Sequence, residues 1–302
     1  MAHVCQRKTN STLFGDTNMQ ANDIAFGIEI ETHMPGNDRT PIGGYHNGLP
    51  VSWLPAGWKA ERDGSIRTPA GRKPCEFVSP VLHGREGLQN VETAVDAIKE
   101  RGARVNESCG LHITISWNGD AAALARLISL IANHEKAIYA STGTRRRERN
   151  QWAKQIKTYG NKDAAKTRCE RDRYHLLNLT HLARGRQRIE IRAFAGTLNK
   201  TKLIGYIQMI LGLAELALNQ KRCAGWDYAK KPGTKSCWDR PEAGHGETEL
   251  NRLFYRLGWT KGWYKGALRE KVYGEIAGET KPEWKTIKTK LLDLARKYDR
   301  AA

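Results

Sequence analysis

The sequence predicts an α+β fold, a sheet with helices on one face followed by a helical C-terminal appendix. Three observations lead there. Between residues 23 and 222, five short stretches alternate polar and apolar residues, as strands do when their side chains point to opposite faces. Three longer stretches in the same region carry apolar residues at helical spacing, and strands and helices follow one another in irregular order. After Cys223 the alternation stops, and Trp226, Trp238, Trp259, Trp263 and Trp284 place five of the nine tryptophans in the last 80 residues.

Taken in order, residues 1–22 read as a polar leader. Strands are expected at 24–32, 58–66, 73–78, 104–117 (with a turn near Ser108) and 186–194, and helices at 84–101, 120–140 and 200–221. Residues 40–55, rich in Gly and Pro, form a long loop of the kind that is often functional in a compact domain. Residues 23–222 make up a mixed domain, and 223–302 a basic, Trp-rich helical lobe with helices near 247–257, 264–276 and 282–298. No 20–50-residue repeat and no heptad run is present.

The 302 residues are 39% hydrophobic with a mean hydropathy of −0.63, enough apolar and aromatic residues to exclude global disorder. The longest apolar run, 203–218, is interrupted by Gln208 and Glu215, so a membrane span is not expected. The polar opening lacks the apolar stretch of a secretory signal, and six scattered cysteines in a chain of this length read as reduced thiols, so a cytoplasmic setting is expected. The net charge is +18, and 15 Lys/Arg against five Asp/Glu between residues 141 and 192 concentrate +10 of it there. That concentration suits nucleic acid, a triphosphate or an acidic substrate, and charge alone does not choose among them.

The chemistry lies on the strands. In Phe26-Gly27-Ile28-Glu29-Ile30-Glu31 the three large apolar residues share one face and both glutamates the other, where the carboxylates sit roughly 6–7 Å apart and repel. Leu111-His112-Ile113-Thr114-Ile115-Ser116 and Arg188-Ile189-Glu190-Ile191-Arg192 repeat the division, and Glu76 follows Cys75 on a third strand. If these strands share a sheet, its polar face gathers Glu29, Glu31, Glu76, Glu190, His112 and Arg192. So many carboxylates on one face call for protonation or for cations, and carboxylate oxygens select hard ions such as Mg2+ or Mn2+. An acidic face with metals beside a basic segment suits ATP chemistry. Neither a Gly-x-x-x-x-Gly-Lys-Ser/Thr loop nor a Gly-x-Gly-x-x-Gly after a strand occurs, so metal and arginine side chains would hold the phosphates. Candidates are Arg145, Arg146, Arg147, Arg149, Lys154, Arg171 and Arg173.

Five motifs occur in the order seen in the amidoligase family. They are Gly27-x-Glu29-x-Glu31, Asp63-Gly64-Ser65, Glu76-Phe77-Val78-Ser79-Pro80, Cys109-Gly110-Leu111-His112, and the run from Ile189-Glu190-Ile191-Arg192 through Ala193-Phe194-Ala195-Gly196-Thr197. The resemblance spans about residues 23–220, with one departure: members often carry His-x-His after the Cys-Gly, where this chain has His112-Ile113-Thr114. It implies a catalytic domain of the glutamine synthetase type, with a mainly antiparallel sheet, and an ATP- and Mg2+-dependent enzyme joining a carboxylate to an amine through an acyl phosphate. It further implies that Glu29, Glu31, Glu76, His112 and Glu190 ligate two or three Mg2+ ions (or Mn2+), with Glu190 and Arg192 catalytic. Arg192 would contact the transferring phosphate, with Arg146, Arg149 and Arg173 as further nucleotide contacts. The family occurs in bacteria and their phages. The basic surround favours an acidic carboxylate substrate, such as a peptide.

Two other readings stand beside this one. A guanidino-kinase-like phosphotransferase would share metal and arginine chemistry but stop at a stable phosphorylated product. A non-catalytic, basic nucleic-acid-binding protein on a ligase scaffold would use interleaved cations and aromatics such as Arg256, Trp259, Lys261, Trp263 and Lys265; packing of a helical cap explains the same residues. Cys109-x-x-His112 lacks the second pair that a structural zinc needs, Cys75 is expected to face the core, and Asp63-Gly64-Ser65 reads most simply as a turn, although the resemblance implies that it lies beside the site. Tyr174 and Asn178 suit nucleotide contact or packing and capping equally, and no nucleophile elbow supports a Ser–His–Asp triad.

Overall fold

The computed structural model describes residues 19–222, 225–226, 245–259 and 281–301. The helix expected at 264–276 lies outside them, as do nearly all of the leader and Cys5, Cys223 and Cys237. Seven strands form one antiparallel sheet in the order β2-β3-β4-β1-β5-β7-β6. They are β1 (Phe26–Pro35), β2 (Leu49–Pro50), β3 (Lys59–Glu61), β4 (Arg72–Val78), β5 (Gly110–Ser116), β6 (Leu177–Asn178) and β7 (Arg188–Ala195). The described helices, after a short 3-10 turn at Ala21–Asp23, are α1 (Gly84–Glu100), α2 (Ala121–Ala140), α3 (Lys162–Arg171), α4 (Thr180–Ala183), α5 (Lys200–Asn219), α6 (Gly246–Arg256) and α7 (Lys281–Arg300).

The apolar alternation sets the register. Phe26 pairs with Ile115 and Ile115 with Ile189, and Ile28 pairs with Ile113 and Ile113 with Ile191. Ile30 pairs with Phe77 and Leu111, and Leu111 with Phe194. All of these side chains are buried. A one-residue slip would turn every one of them to the opposite face, so the register is strongly specified. Phe194 stacks on Tyr206 at 4.3 Å and so joins the sheet to α5.

Helix α5 is buried without interruption from Leu203 to Ala217. It has the length and composition of a membrane span, yet it is the central core helix between the sheet and the outer helices. Asp120 caps α2 by accepting from Ala123 N, and Asn199 caps α5 by accepting from Lys202 N. Helix α6 packs on α2, and α7 on α5 and α6, so these C-terminal helices share one core with the mixed domain. Gly205 permits the close approach of α7, since a Cβ there would lie 2.9 Å from Ile287 and 3.0 Å from Leu291.

The expected strand at 58–66 shortens to Lys59–Glu61, and Asp63 Oδ1 accepts from Ser65 N at 2.6 Å in the turn that follows. The strand expected from residue 104 begins at Gly110, because Asn106 folds the preceding segment by accepting from Ser108 N. Strands β2 and β6, two residues each, are too short to show alternation. Helix α3 buries only Ala165 and Cys169, so its apolar face is too thin to read; Asn161 caps it by accepting from Asp163 N and Ala164 N.

Residues 144–159 form a strap that brings Arg147 and Trp152 to β7. Lys154 bridges His175 in the manner of a parallel strand, and Glu135 of α2 accepts from Ile156 N at 2.9 Å and Lys157 N at 3.1 Å. Burial pushes the Glu135 carboxyl up to about 7 despite those two donors. A carboxyl raised on folding favours the folded state below its ordinary pKa of 4.5, and that advantage is lost as pH rises towards 7. A shift of this size corresponds to about 3 kcal/mol as an upper figure. Glu135→Gln keeps an acceptor oxygen without the charge. Urea denaturation should show it about 1–3 kcal/mol more stable than wild type at about pH 8, with the difference gone near pH 4.

Candidate active site

Strand pairing assembles the acidic residues. Glu31 of β1 pairs with Glu76 of β4, Glu76 with Glu61 of β3, and Glu29 with His112 of β5. Glu190 of β7 lies between Thr114 and Asn178. A bulge opposite His112, where the pairing jumps from Leu111–Phe194 to Ile113–Ile191, gives β7 one extra residue. Ile191 and Phe194 therefore both reach the core, while Arg192 joins Glu190 on the polar face.

The His112 ring, 3% exposed, is surrounded by carboxylates. Nδ1 lies 3.1 Å from Glu29, 3.5 Å from Glu190 and 4.0 Å from Glu76, and Nε2 lies 3.3 Å from Glu31. Burial, together with the Arg192 and Arg147 guanidiniums, outweighs those carboxylates and pushes the His112 pKa down to about 4, leaving the ring neutral near pH 7. A neutral imidazole carries one N–H, so one of its nitrogens presents a lone pair to a carboxylate oxygen. Burial, and then the charges of Glu29, Glu31, Asp63 and Glu61, hold the Glu76 carboxyl well above the usual carboxylate range.

Oxygen and nitrogen atoms of Glu29, Glu76 and His112 lie within 4.8 Å of one another, as do oxygens of Glu31, Asp63 and Glu76. The two groups share Glu76. Four carboxylates and one neutral imidazole suit a divalent cation such as Mg2+ or Mn2+, which would relieve both the carboxylate repulsion and the lone-pair conflict at His112.

The opposite wall is cationic. Arg192 donates to Glu190 Oε1 at 2.5 Å, and Asn178 donates to Glu190 Oε2 at 2.5 Å. Arg147, 3% exposed, donates to the Arg192 carbonyl at 2.6 Å; its Nε has no partner, and no carboxylate lies within 4 Å among the described residues. Gly110 makes room for this guanidinium, since a Cβ there would come within 3.1 Å of both Arg147 and His112. Its N–H also donates to Glu31 at 2.5 Å. Between the walls opens a cleft of ≈ 240 Å³, lined by Glu31, Asp63, His112, Arg147, Arg192, Arg173 and Trp152, among others. Arg173 donates to Tyr45 Oη at 2.9 Å at the rim. Trp152 also lines a second cavity of ≈ 590 Å³ that contains Arg67, Arg145, Arg146, Arg149 and Glu107.

Against known families, residues 43–160 match the one described as “putative amidoligase enzyme”. The match covers well under half of the chain. It contains Asp63, Glu76, His112 and the Arg145–Arg149 run, whereas Glu29, Glu31, Glu190 and Arg192 lie outside it. An amidoligase match suggests ligase chemistry on substrates of the amine and carboxylate kind, with nucleotide and metal use. No curated protein matches the chain.

All of Glu29, Glu31, Glu76, His112, Glu190 and Arg192, chosen from the sequence, meet in one cluster. Arg173 lines the cleft, while Arg146 and Arg149 line the neighbouring cavity. Tyr174 also lines the cleft, and Asn178 buttresses Glu190. Arg147 was one of seven candidate phosphate contacts, not distinguished from Arg145, Arg146 and Arg149 beside it, and Asp63, read first as a turn residue, joins the carboxylate cluster. Cys109 is buried with its pKa pushed up to about 11, and Cys75 faces the core.

Repulsion at Glu76 makes a testable statement. In metal-free buffer near pH 8, Glu76→Gln should stabilise the protein by about 1–3 kcal/mol in thermal melts. Adding Mg2+ or Mn2+ should raise the wild-type melting temperature and leave that of the variant almost unmoved. An equal metal response from both proteins would remove Glu76 from the ligand set.

Proposed function

We propose that this protein is an ATP- and Mg2+-dependent carboxylate–amine ligase acting through an acyl phosphate, on a catalytic domain of glutamine synthetase type. The observation that carries this reading is the pairing of two ligand groups joined at Glu76 with the buried Arg147 and Arg192 across a narrow cleft. An antiparallel sheet whose polar face carries the site, with helices packed on the other, supports the fold assignment.

Glu29, Glu31, Asp63, Glu76 and His112 would hold the metal, with Glu190 at their edge; when bound it supplies charge neutralisation and orientation to the nucleotide phosphates. Arg192 and Arg147, with Arg173 at the rim, face the same space and would hold the transferring phosphoryl group. Arg192 keeps its position through Glu190, which Asn178 orients from the other side. Burial of these cations makes them more effective on a phosphoryl group than they would be in water. The substrate carboxylate attacks the γ-phosphorus of ATP, an O–P bond forms, and the bond to ADP breaks. An amine then attacks the acyl carbon, the C–O bond to phosphate breaks, and the amine proton passes to solvent, leaving an amide, ADP and phosphate.

Calorimetric titration with a non-hydrolysable ATP analogue should show binding that requires Mg2+ and is lost in Glu29→Gln and Glu190→Gln. Arg192→Ala should retain the fold and lose about 10²–10³ in turnover. A stable phosphorylated product in place of an amide would assign the site to a phosphotransferase, and absence of Mg2+-dependent nucleotide binding would overturn the reading.

A further inference from the structure

The second cavity is separate from the acidic cluster and differs from it in charge. Arg67, Arg145, Arg146 and Arg149 face one carboxylate, Glu107, so the lining carries a net charge of +3. Glu107 is half-exposed and spans two of the arginines loosely, at 3.4 Å from Arg146 and 3.7 Å from Arg67. Charge-assisted hydrogen bonds are shorter, about 2.7–2.9 Å, and exposed pairs of this kind are worth about 0–1 kcal/mol. Glu107 thus occupies the place of a carboxylate without satisfying the cations around it. Arg149 has no carboxylate within 4 Å among the described residues, and neither has Arg145, which stacks on Tyr298 of α7 at 4.5 Å with its Nε unpartnered.

We infer that this cavity binds the anionic side groups of the carboxylate substrate, a short acidic peptide, and that Glu107 is an internal occupant which the substrate displaces. The inference rests on the ligase reading proposed above and names the substrate class of that site. Four features carry it. Of the described residues that could hold a metal, Glu31, Asp63 and His112 line the neighbouring cleft, so a triphosphate with its cations fits there, while four arginines suit an anion that arrives without metal. The half-exposed carboxylate of Glu107 already lies beside two of these arginines, at distances too long for strong ion pairs. The volume of ≈ 590 Å³ is that of a small-ligand pocket. Trp152 lines both spaces, so a peptide seated on the arginines lies beside the cleft that holds Arg147 and Arg192. Tyr298 and Ala301 then give the C-terminal helix a role as the support of this cavity.

The test uses the full chain, with tri-glutamate as probe and tri-glutamine as neutral control, by calorimetry at low salt. Nucleotide binding is read separately with the Mg2+-bound, non-hydrolysable ATP analogue. Tri-glutamate should bind and tri-glutamine should not. Arg67→Ser with Arg149→Ser, both at the surface, should weaken tri-glutamate about ten-fold or more. Glu107→Gln should tighten it about three- to ten-fold by removing the internal competitor, with nucleotide affinity in that variant within about two-fold of wild type. Unchanged tri-glutamate affinity in Glu107→Gln overturns the displacement. Loss of the nucleotide rather than the peptide in the arginine variant makes the cavity a nucleotide site and overturns the proposal, as does displacement of the peptide by a single-stranded oligonucleotide at lower concentration. A wild-type protein that binds tri-glutamate but no Mg2+-nucleotide would sink the ligase reading and leave the acidic-peptide site standing.

Discussion

Mutual repulsion among the carboxylates around His112 is the constraint on which the rest of the structure depends. Glu29, Glu31, Glu76 and Glu190 close on a single imidazole that burial and neighbouring guanidiniums keep neutral. Glu76 bears the highest cost, its carboxyl raised by desolvation and by four acidic neighbours. Such a cluster is destabilising by itself, and it persists only where a rigid frame supplies the difference. Here the frame is three rows of paired aliphatic and aromatic side chains on the reverse of the same strands, so one alternation builds the core and presents the site.

Local backbone devices tune the frame to the chemistry. The β7 bulge keeps both Ile191 and Phe194 in the core and leaves Arg192 beside Glu190. Gly110 lets a guanidinium and an imidazole approach closely and contributes its N–H to Glu31. These details give a physical reason for Cys-Gly-x-His at the start of β5. The glycine makes space, the histidine enters the cluster, and the cysteine is a buried thiol near Asn106.

The strap at 144–159 and the C-terminal helices convert an open acidic face into two lined spaces. Glu135 and Tyr139 anchor the strap to α2, Arg147 and Trp152 reach β7 from it, and Tyr298 of α7 supports Arg145 behind it. The two spaces therefore meet at a shared wall, Trp152, one lined by both acidic and basic groups and the other mainly by arginines. That arrangement suits the proposed metal–phosphate chemistry and anion recognition side by side.

The sequence by itself determined the α+β class, the five longer strands, the principal helices and the acidic set on the polar face. Period-two alternation is a local property, and it assigns each residue to a face whatever the neighbouring strands are. It also sufficed for Arg192, two residues from Glu190. Alternation could not place Asp63, which lies in a turn and was tied to the site only by the family resemblance, nor separate Arg147 from Arg145, Arg146 and Arg149. Strand order, the bulge on β7 and the path of the strap decided those assignments. Each depends on contacts between residues far apart in the chain, and a run of like charges carries no signal of which member folds inward.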